Sequence, residues 1–145
     1  MFSSNTSQVA SSAANYIEDV FSTYLYSGTG ASRSITNGID LASKGGLIWT
    51  KGRTTNITAT DHWFVDTARG TNNGLRSNTD AATLTDSTMV TAFNANGYSL
   101  GADSNYGFVN YTGSVPYASW TFRKQAKFFD VVTWTGNGAN NRGIN

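Results

Sequence analysis

The sequence predicts an all-β fold, arranged as an antiparallel β-sandwich or jelly roll, and three observations support this prediction. Nearly half of the 145 residues are Ser, Thr, Asn or Gly, and Glu occurs once, at Glu18, so strong helix formers are scarce. Aromatic residues make up 13% of the chain, which favours a packed core over disorder. About eight or nine short apolar runs, separated by turn-forming residues, have the spacing typical of sandwiches.

Strands are predicted where aromatic and β-branched residues run together between Gly or Asn residues. Residues 47–51 illustrate the pattern, because their side chains alternate between the two faces of the pleat. One face carries Leu47, Trp49 and Lys51, and the other carries Ile48 and Thr50. The predicted strands cover residues 20–26, 34–36, 47–51, 62–65, the two arms of 91–100, 117–123 and 128–135.

Two segments carry more specific local signals. Residues 91–100 predict a hairpin around Asn96-Gly97, the dipeptide that best tolerates the positive φ of a tight turn. Residues 15–20 leave an alternative open, because an Asn cap followed by Glu18 three residues later also permits a helical turn.

Residues 117–123 alternate regularly along the chain. The alternation predicts a half-buried strand with Ala118, Trp120 and Phe122 facing the core. Trp49, like Trp120, lies in the middle of a predicted strand and is also expected in the core.

The chain divides into three segments. Residues 1–15 are small and polar, so alone they would be disordered, and we expect them to form an extended attachment segment. Residues 16–127 are the predicted sandwich domain. Residues 128–145 are predicted to begin a second, truncated repeat, because 26–37 and 134–145 share an ordered pattern of aromatic, hydroxyl, Gly, polar, Gly and Ala residues.

The composition excludes several classes of function. Without cysteine there is no disulfide, thiolate nucleophile or iron–sulfur cluster, and with His62 as the only histidine there is no multi-histidine metal site within one chain. A net charge of +1 gives no electrostatic footprint for nucleic acid. The apolar runs are too short to span a bilayer, and residues 1–14 lack a secretory pattern. We therefore expect no cofactor, no nucleic acid and no membrane insertion.

A catalytic site is not expected either. His62 lies close in sequence to Asp61 and Asp66, but no Gly-x-Ser-x-Gly nucleophile motif is present. The acidic residues show no spacing that singles out a glycosidase pair. Asp66 and Arg69 are instead predicted to form an ion pair across a turn.

Loop residues supply the candidate ligand sites. Asp103 and Asn105 occupy alternate positions, as the oxygen ligands of a calcium loop do. The bidentate Glu of a full calcium loop is missing, so calcium binding is a minor alternative and we expect no metal. Trp63, Tyr106 and Tyr111 lie at or near predicted loops, where aromatic rings can stack on sugars. Partial core packing or subunit packing is the plainer interpretation of each ring.

Five motifs together resemble a family of phage structural proteins. They are YIEDVFSTYLYSGTG, ITNGIDLASKGGLIWTK, FVDTARG, FNANGYSLG and YASWTFRKQAKFFDVVTWTGNG, and they cover roughly residues 15–145 in order. The family comprises tail-fibre-type virion proteins, common in marine cyanophages and related phages, with repeated concanavalin- or laminin-G-like modules. The resemblance implies a concanavalin-like sandwich located in the virion, at the phage tail or capsid surface.

The resemblance and the excluded chemistries together predict a non-enzymatic virion structural protein. We expect the N-terminal part of a tail fibre or tail appendage that forms a homotrimer and docks to another virion protein. The candidate partner-binding residues are Phe2, Val9 and Tyr16. The alternatives are a lectin-like module that binds host surface glycans, a capsid decoration protein and a polysaccharide depolymerase.

Overall fold

Two antiparallel sheets form the structure, a computed structural model that describes residues 16–54, 61–140 and 143–144. The elements in chain order are α1 (Ile17–Val20), β1 (Phe21–Ser27), β2 (Arg33–Thr36), β3 (Gly46–Gly52), β4 (His62–Asp66), β5 (Asn73–Arg76), β6 (Leu84–Thr85), β7 (Val90–Asn94), β8 (Gly97–Leu100) and β9 (Pro116–Arg123). The prediction of an all-β antiparallel sandwich is confirmed, whereas the jelly-roll topology stays a prediction.

The large sheet holds six strands in the order β1-β9-β3-β4-β5-β6, and the small sheet holds β2-β8-β7. β9, the last strand in the chain, lies between β1 and β3 and pairs with each along its length. The large sheet is therefore completed by long-range pairing between the two ends of the domain.

The core fills the space between the sheets. Its largest buried side chains include Trp63, Ile48 and Val65 from the large sheet and Tyr98, Ile35 and Leu100 from the small sheet. Two hydrogen bonds cross the core: Tyr98 donates to Ser119 Oγ at 2.7 Å, and the Asn37 amide donates to Thr121 Oγ1 at 2.8 Å. These bonds allow hydroxyl side chains of β9 to be fully buried without an unpaired polar atom.

Two stacked tyrosines tie the long β8–β9 loop to the core. The rings of Tyr26 and Tyr117 lie 5.2 Å apart, and the Tyr26 hydroxyl donates to the Val109 carbonyl at 2.6 Å. The Tyr117 hydroxyl accepts from the Tyr111 N–H and donates to the Gly107 carbonyl, each at 3.1 Å. Burial raises the pKa of Tyr117 to about 12, so this hydroxyl stays a donor at neutral pH.

The predicted orientation of β9 is wrong. Tyr117, Ser119 and Thr121 face the core and are completely buried, while Trp120 and Phe122 lie half-buried on the opposite, outer face of the large sheet. Ala118 is buried, but the alternation places it on the outer face as well. The reason is that the small sheet supplies hydroxyl and amide partners to the polar face of β9, which makes burial of that face possible.

The predicted hairpin is confirmed, with its turn one residue earlier than expected. β7 and β8 pair antiparallel, and Ala95 and Asn96 form the turn between Asn94 and Gly97. The positive φ of 148° falls on Gly97, where a Cβ would lie 2.0 Å from the Ile35 carbonyl oxygen. Glycine is required there by close contact with β2 as well as by backbone conformation.

The strand predicted over residues 128–135 is absent from the structure. The chain reverses at Lys127, whose φ is 65°, and the Phe128 and Phe129 N–H groups both donate to the Gln125 carbonyl. Only the isolated bridge between Gln125 and Phe129 forms there. Phe129 stacks on Phe122 of the sheet, whereas Phe128 is exposed. The proposed second repeat stays a prediction.

The helical alternative near residue 16 is confirmed as α1, and β1 begins one residue later than predicted. Tyr16 occupies the N-cap position and makes no side-chain capping hydrogen bond, and Asn15, the cap expected from the sequence, lies outside the described residues.

Candidate functional site

A row of apolar side chains crosses the outer face of the large sheet. The strand registers place Trp120 beside Thr23 on one side and Trp49 on the other, and Trp49 beside Phe64. Directly paired residues project on the same side of a sheet, so these side chains form one continuous surface. Leu75 extends the row on β5.

Trp49 is the centre of this row. Its ring lies 4.8 Å from that of Trp120 and 5.5 Å from that of Phe64, in tilted and edge-to-face geometry. Its indole Nε1 donates a hydrogen bond of 3.0 Å to His62 Nδ1. Each aromatic pair contributes about 0.5–1.5 kcal/mol beyond area burial, so the row is held rigid before any partner binds.

His62 takes its neutral form in this arrangement. Nδ1 can accept from Trp49 only when it is unprotonated, which places the ring proton on Nε2. Burial lowers the pKa of His62, and the charge of Lys51 lowers it further, while Asp61 opposes the shift. The only histidine of the chain is thus engaged with an aromatic side chain of the sheet.

A second aromatic stack continues the surface toward the chain ends. Phe122 lies 4.9 Å from Phe21 and 5.1 Å from Phe129. We name Phe21, Trp49, Phe64, Trp120 and Phe122 the outer aromatic face.

An apolar groove adjoins this face where α1 meets the residues after β9. It has a volume of about 230 Å³ and is lined by Ile17, Val20, Gln125, Ala126 and Phe128. Ile17 is 61% exposed and Trp134 is 60% exposed, so large apolar side chains lie open near both ends of the described chain. Such clustering of exposed apolar residues marks interaction surfaces more often than single exposed side chains do.

A separate depression of about 370 Å³ lies at the opposite part of the large sheet. It is lined by Asp61, Trp63, Arg76, Leu84, Asn105, Tyr106 and Phe108. The Tyr106 ring stacks on Phe108 at 5.2 Å and 12°, and Phe108 meets the Trp63 ring edge-on at 5.1 Å. Tyr106 is nevertheless 56% exposed, so one face of its ring is supported and the other faces solvent.

The loop that carries Tyr106 is organised by a buried carboxylate. Asp103 Oδ1 accepts the N–H groups of Tyr106 and Gly107 at 3.1 and 3.0 Å, and Oδ2 accepts that of Val109 at 3.3 Å. Asp103 is completely buried, whereas Asn105 is exposed. Backbone N–H groups thus occupy both carboxylate oxygens of Asp103, and this geometry gives the calcium alternative no support.

A family model described as a domain of unknown function, DUF7483, matches residues 17–144. The chain belongs to the DUF7483 family. The match begins at the first residue of α1 and includes both sheets and the residues after β9. No curated protein and no solved structure matches the chain.

The three predicted ligand residues of this DUF7483 domain have different environments. Trp63 is only 1% exposed, because it is the second residue of β4 and its side chain faces the core. Tyr111 is half-buried and packs against the core. Tyr106 is the exposed ring, and the structure places it at the same depression as the edge of Trp63.

The predicted partner-binding residues are described only in part. Phe2 and Val9 lie outside the described residues of the DUF7483 domain. Tyr16 is 62% exposed, next to the apolar groove at α1. Its exposure is compatible with a contact to a partner protein, and the partner-binding role stays a prediction.

Two further features of the DUF7483 domain bear on its chemistry. Arg69 and Asp66 form the predicted ion pair, with Arg69 Nη2 2.7 Å from Asp66 Oδ2. The angle between these groups does not make a hydrogen bond. Asp66 Oδ1 accepts two backbone N–H groups instead. In the part of the chain that the structure describes, no group of three or more His, Cys, Asp or Glu residues could hold a metal. No helix there is long and apolar enough to cross a membrane.

The outer aromatic face of the DUF7483 domain was not found from the sequence. The signal that could have found it lies in the strand around Trp49, where Leu47 and Trp49 project on one side of the pleat and Ile48 projects on the other. Two apolar faces on one strand indicate burial on both sides, and a two-sheet sandwich can cover only one of them.

Proposed function

We propose that this DUF7483 domain is a non-enzymatic structural module of a phage virion, in a tail fibre or similar tail appendage. Copies of the chain pack together as a homotrimer, and the outer aromatic face and the adjoining groove form the packing surface. Other virion proteins of the tail are the further partners.

The outer aromatic face is the observation that carries this proposal. An antiparallel sheet with one face on the core ordinarily presents polar side chains to water on the other face. Here that second face carries two tryptophans and three phenylalanines at paired positions on four strands. Burial of such side chains against a partner stabilises an assembly by about 25 cal/mol per Å² of apolar surface.

The size of the face indicates how much else must be buried. Four strands about 4.8 Å apart, with about 3.3 Å per residue over a strand length of seven residues, span roughly 400 Å². A stable interface buries about 800 Å² on each partner. The face alone is too small, and the apolar groove beside it, lined in part by Val20 next to Phe21, supplies the additional surface.

A second copy of the chain is a suitable occupant for this surface. The net charge of +1 means that copies repel one another little. The resemblance of the sequence to tail-fibre-type proteins supports the same assembly, since such fibres generally form trimers.

Oligomeric state tests the packing surface. Thr23 is exposed and lies directly opposite Trp120 on the outer face, so Thr23→Lys adds a charge to the face without removing a packed ring. Thr91→Lys adds the same charge on β7, which belongs to the other sheet, and is the matched control. We expect sedimentation equilibrium to give three times 15.5 kDa for the wild type and the control, and a monomer for Thr23→Lys.

A monomeric wild type at all concentrations, or a trimeric Thr23→Lys variant, would contradict the packing proposal. Electron cryomicroscopy of intact virions tests the location separately. Density for the sandwich on the tail supports the proposal, density on the capsid shell favours the decoration alternative, and absence from the virion rejects both. Cleavage of a polysaccharide by the purified chain would favour the depolymerase alternative instead.

A further inference from the structure

The depression around Tyr106 combines parts of the chain that are distant in sequence. Asp61 directly precedes β4, Trp63 lies in β4, and Arg76 ends β5, where the register pairs it directly with Trp63. Asn105 and Tyr106 come from the loop after β8, which Asp103 holds in place. The site is therefore built from strand positions on one side and from a braced loop on the other.

Tyr106 forms a rigid aromatic platform in this depression. Phe108 supports the ring from one side at 5.2 Å, and Trp63 supports Phe108. The opposite face of the Tyr106 ring is open, as its exposure of 56% indicates. An aromatic face carries partial negative charge and attracts the slightly positive C–H groups of an apolar ligand face.

Polar groups of both hydrogen-bonding types surround the platform. The Asp61 carboxylate lies 3.5 Å from Arg76 Nη1 and accepts a hydrogen bond of 2.9 Å from the Asn78 amide. The exposed Asn105 amide makes no hydrogen bond with any other described residue, so it is free to donate and accept. Because the charges of Asp61 and Arg76 offset each other, the depression favours an uncharged ligand over an ion.

Two donors at this site also lack an acceptor. Trp63 Nε1 and Arg76 Nε are buried and have no hydrogen-bond partner among the described residues. The Arg76 guanidinium lies over the Trp63 ring, 5.5 Å from its centroid. Buried donors are ordinarily paired, so two unpaired donors beside one depression indicate a place for an oxygen-rich ligand.

We infer that the depression binds a neutral pyranose, presented as a glycoside. One C–H face of the sugar ring stacks on Tyr106, and its hydroxyl groups donate to Asp61 and accept from Arg76 and Asn105. The volume of about 370 Å³ lies in the range of small-molecule sites and accommodates one or two sugar rings.

The four tryptophan indoles of the chain provide the readout. The full ¹⁵N-labelled chain is titrated with methyl glycosides of glucose, galactose, mannose and N-acetylglucosamine, and separately with methyl glucuronide. We expect a saturable shift of the Trp63 indole N–H resonance with at least one neutral glycoside, a weaker response to the acidic one, and no shift of Trp49 or Trp120. This pattern is independent of subunit packing, which involves the indoles of Trp49 and Trp120.

Two variants test the role of the platform. Tyr106→Ala removes the stacking ring and should weaken binding about tenfold, whereas Tyr106→Phe keeps the ring and should bind nearly as the wild type does. Thr91→Ala removes an exposed side chain of β7, which belongs to the small sheet and does not line the depression, and should bind unchanged.

Several results would overturn the inference. They are no indole shift with any neutral glycoside, a shift confined to Trp49 and Trp120, tighter binding of the glucuronide, and equal affinity of Tyr106→Ala and wild type. Because Tyr106 is mostly exposed, its variants are expected to fold, and an unchanged spectrum of the core methyl groups verifies this.

Discussion

Asp103→Asn should destabilise the domain and loosen the loop that presents Tyr106. The carboxylate is completely buried and accepts three backbone N–H groups, two on Oδ1 and one on Oδ2. An asparagine keeps one acceptor oxygen and turns its NH₂ group toward at least one of these N–H groups. One buried backbone donor is then left without an acceptor, and the remaining bonds lose their charge assistance.

The magnitude follows from these contacts. An unsatisfied buried donor costs about 1–3 kcal/mol, and hydrogen bonds to a charged group contribute about 1.5–3 kcal/mol each before the substitution. We expect the free energy of unfolding to fall by about 2–4 kcal/mol. At about 4 °C per kcal/mol for a chain of this length, the Tm falls by roughly 8–16 °C.

Urea unfolding, followed by tryptophan fluorescence and by far-ultraviolet circular dichroism, measures this loss. Asp80→Asn is the matched control, because Asp80 is exposed and makes no hydrogen bond or ion pair with any described residue. The control should stay within about 0.5 kcal/mol of the wild type. If Asp103→Asn changes the free energy of unfolding by no more than the control does, the three backbone bonds do not hold the loop and the reasoning is refuted.

Two further predictions concern His62 and Gly97. Burial lowers the pKa of His62 below its ordinary 6.5, so as the pH falls the unfolded chain binds the proton before the folded chain does. The free energy of unfolding should therefore decrease below about pH 7 and become constant once the folded state is also protonated. Urea unfolding at pH 7.5 and pH 5 should show a smaller change in the free energy of unfolding for His62→Gln than for the wild type. An identical change in the two proteins would contradict this. Gly97→Ala should lower the free energy of unfolding by more than about 3 kcal/mol, because the added Cβ would meet the Ile35 carbonyl. The control is Gly38→Ala, where φ is 84° but the space around the residue is open, and its loss should be about 1–2 kcal/mol. If thermal unfolding gives the same loss of stability for Gly97→Ala and Gly38→Ala, the contact with Ile35 is unimportant.

Much of the local structure could be predicted from residue types. The strands predicted at 20–26, 47–51, 62–65 and 117–123 each lie within about one residue of β1, β3, β4 and β9. This succeeds because turn-forming residues bound each run of aromatic and β-branched side chains. It fails at 128–135, where the composition is that of a strand but the reversal at Lys127 leaves the run no neighbouring strand to pair with.

The residues of the candidate sites differ in how far the sequence could predict their positions. Tyr106 could be placed on an exposed loop because Gly and Asn residues surround it. The burial of Trp63 could not be foreseen, since it depends on the side from which the small sheet covers β4. The role of Asp103 was hidden for a similar reason, because its three donors come from backbone groups that only the folded loop brings together.

The sequence by itself determined that this chain forms strands, where most of the described strands lie, and which side chains share a face of each strand, because alternation and turn chemistry act over a few residues. Only the tertiary structure decided which face is inside. In β9 one face carries Trp120 and Phe122 and the other carries Ser119 and Thr121, so burial of the polar face is decided by the hydrogen-bond partners that the small sheet offers. Tyr98 and Asn37 supply those partners to Ser119 and Thr121. The same choice turns Trp49 and Trp120 outward and creates the outer aromatic face.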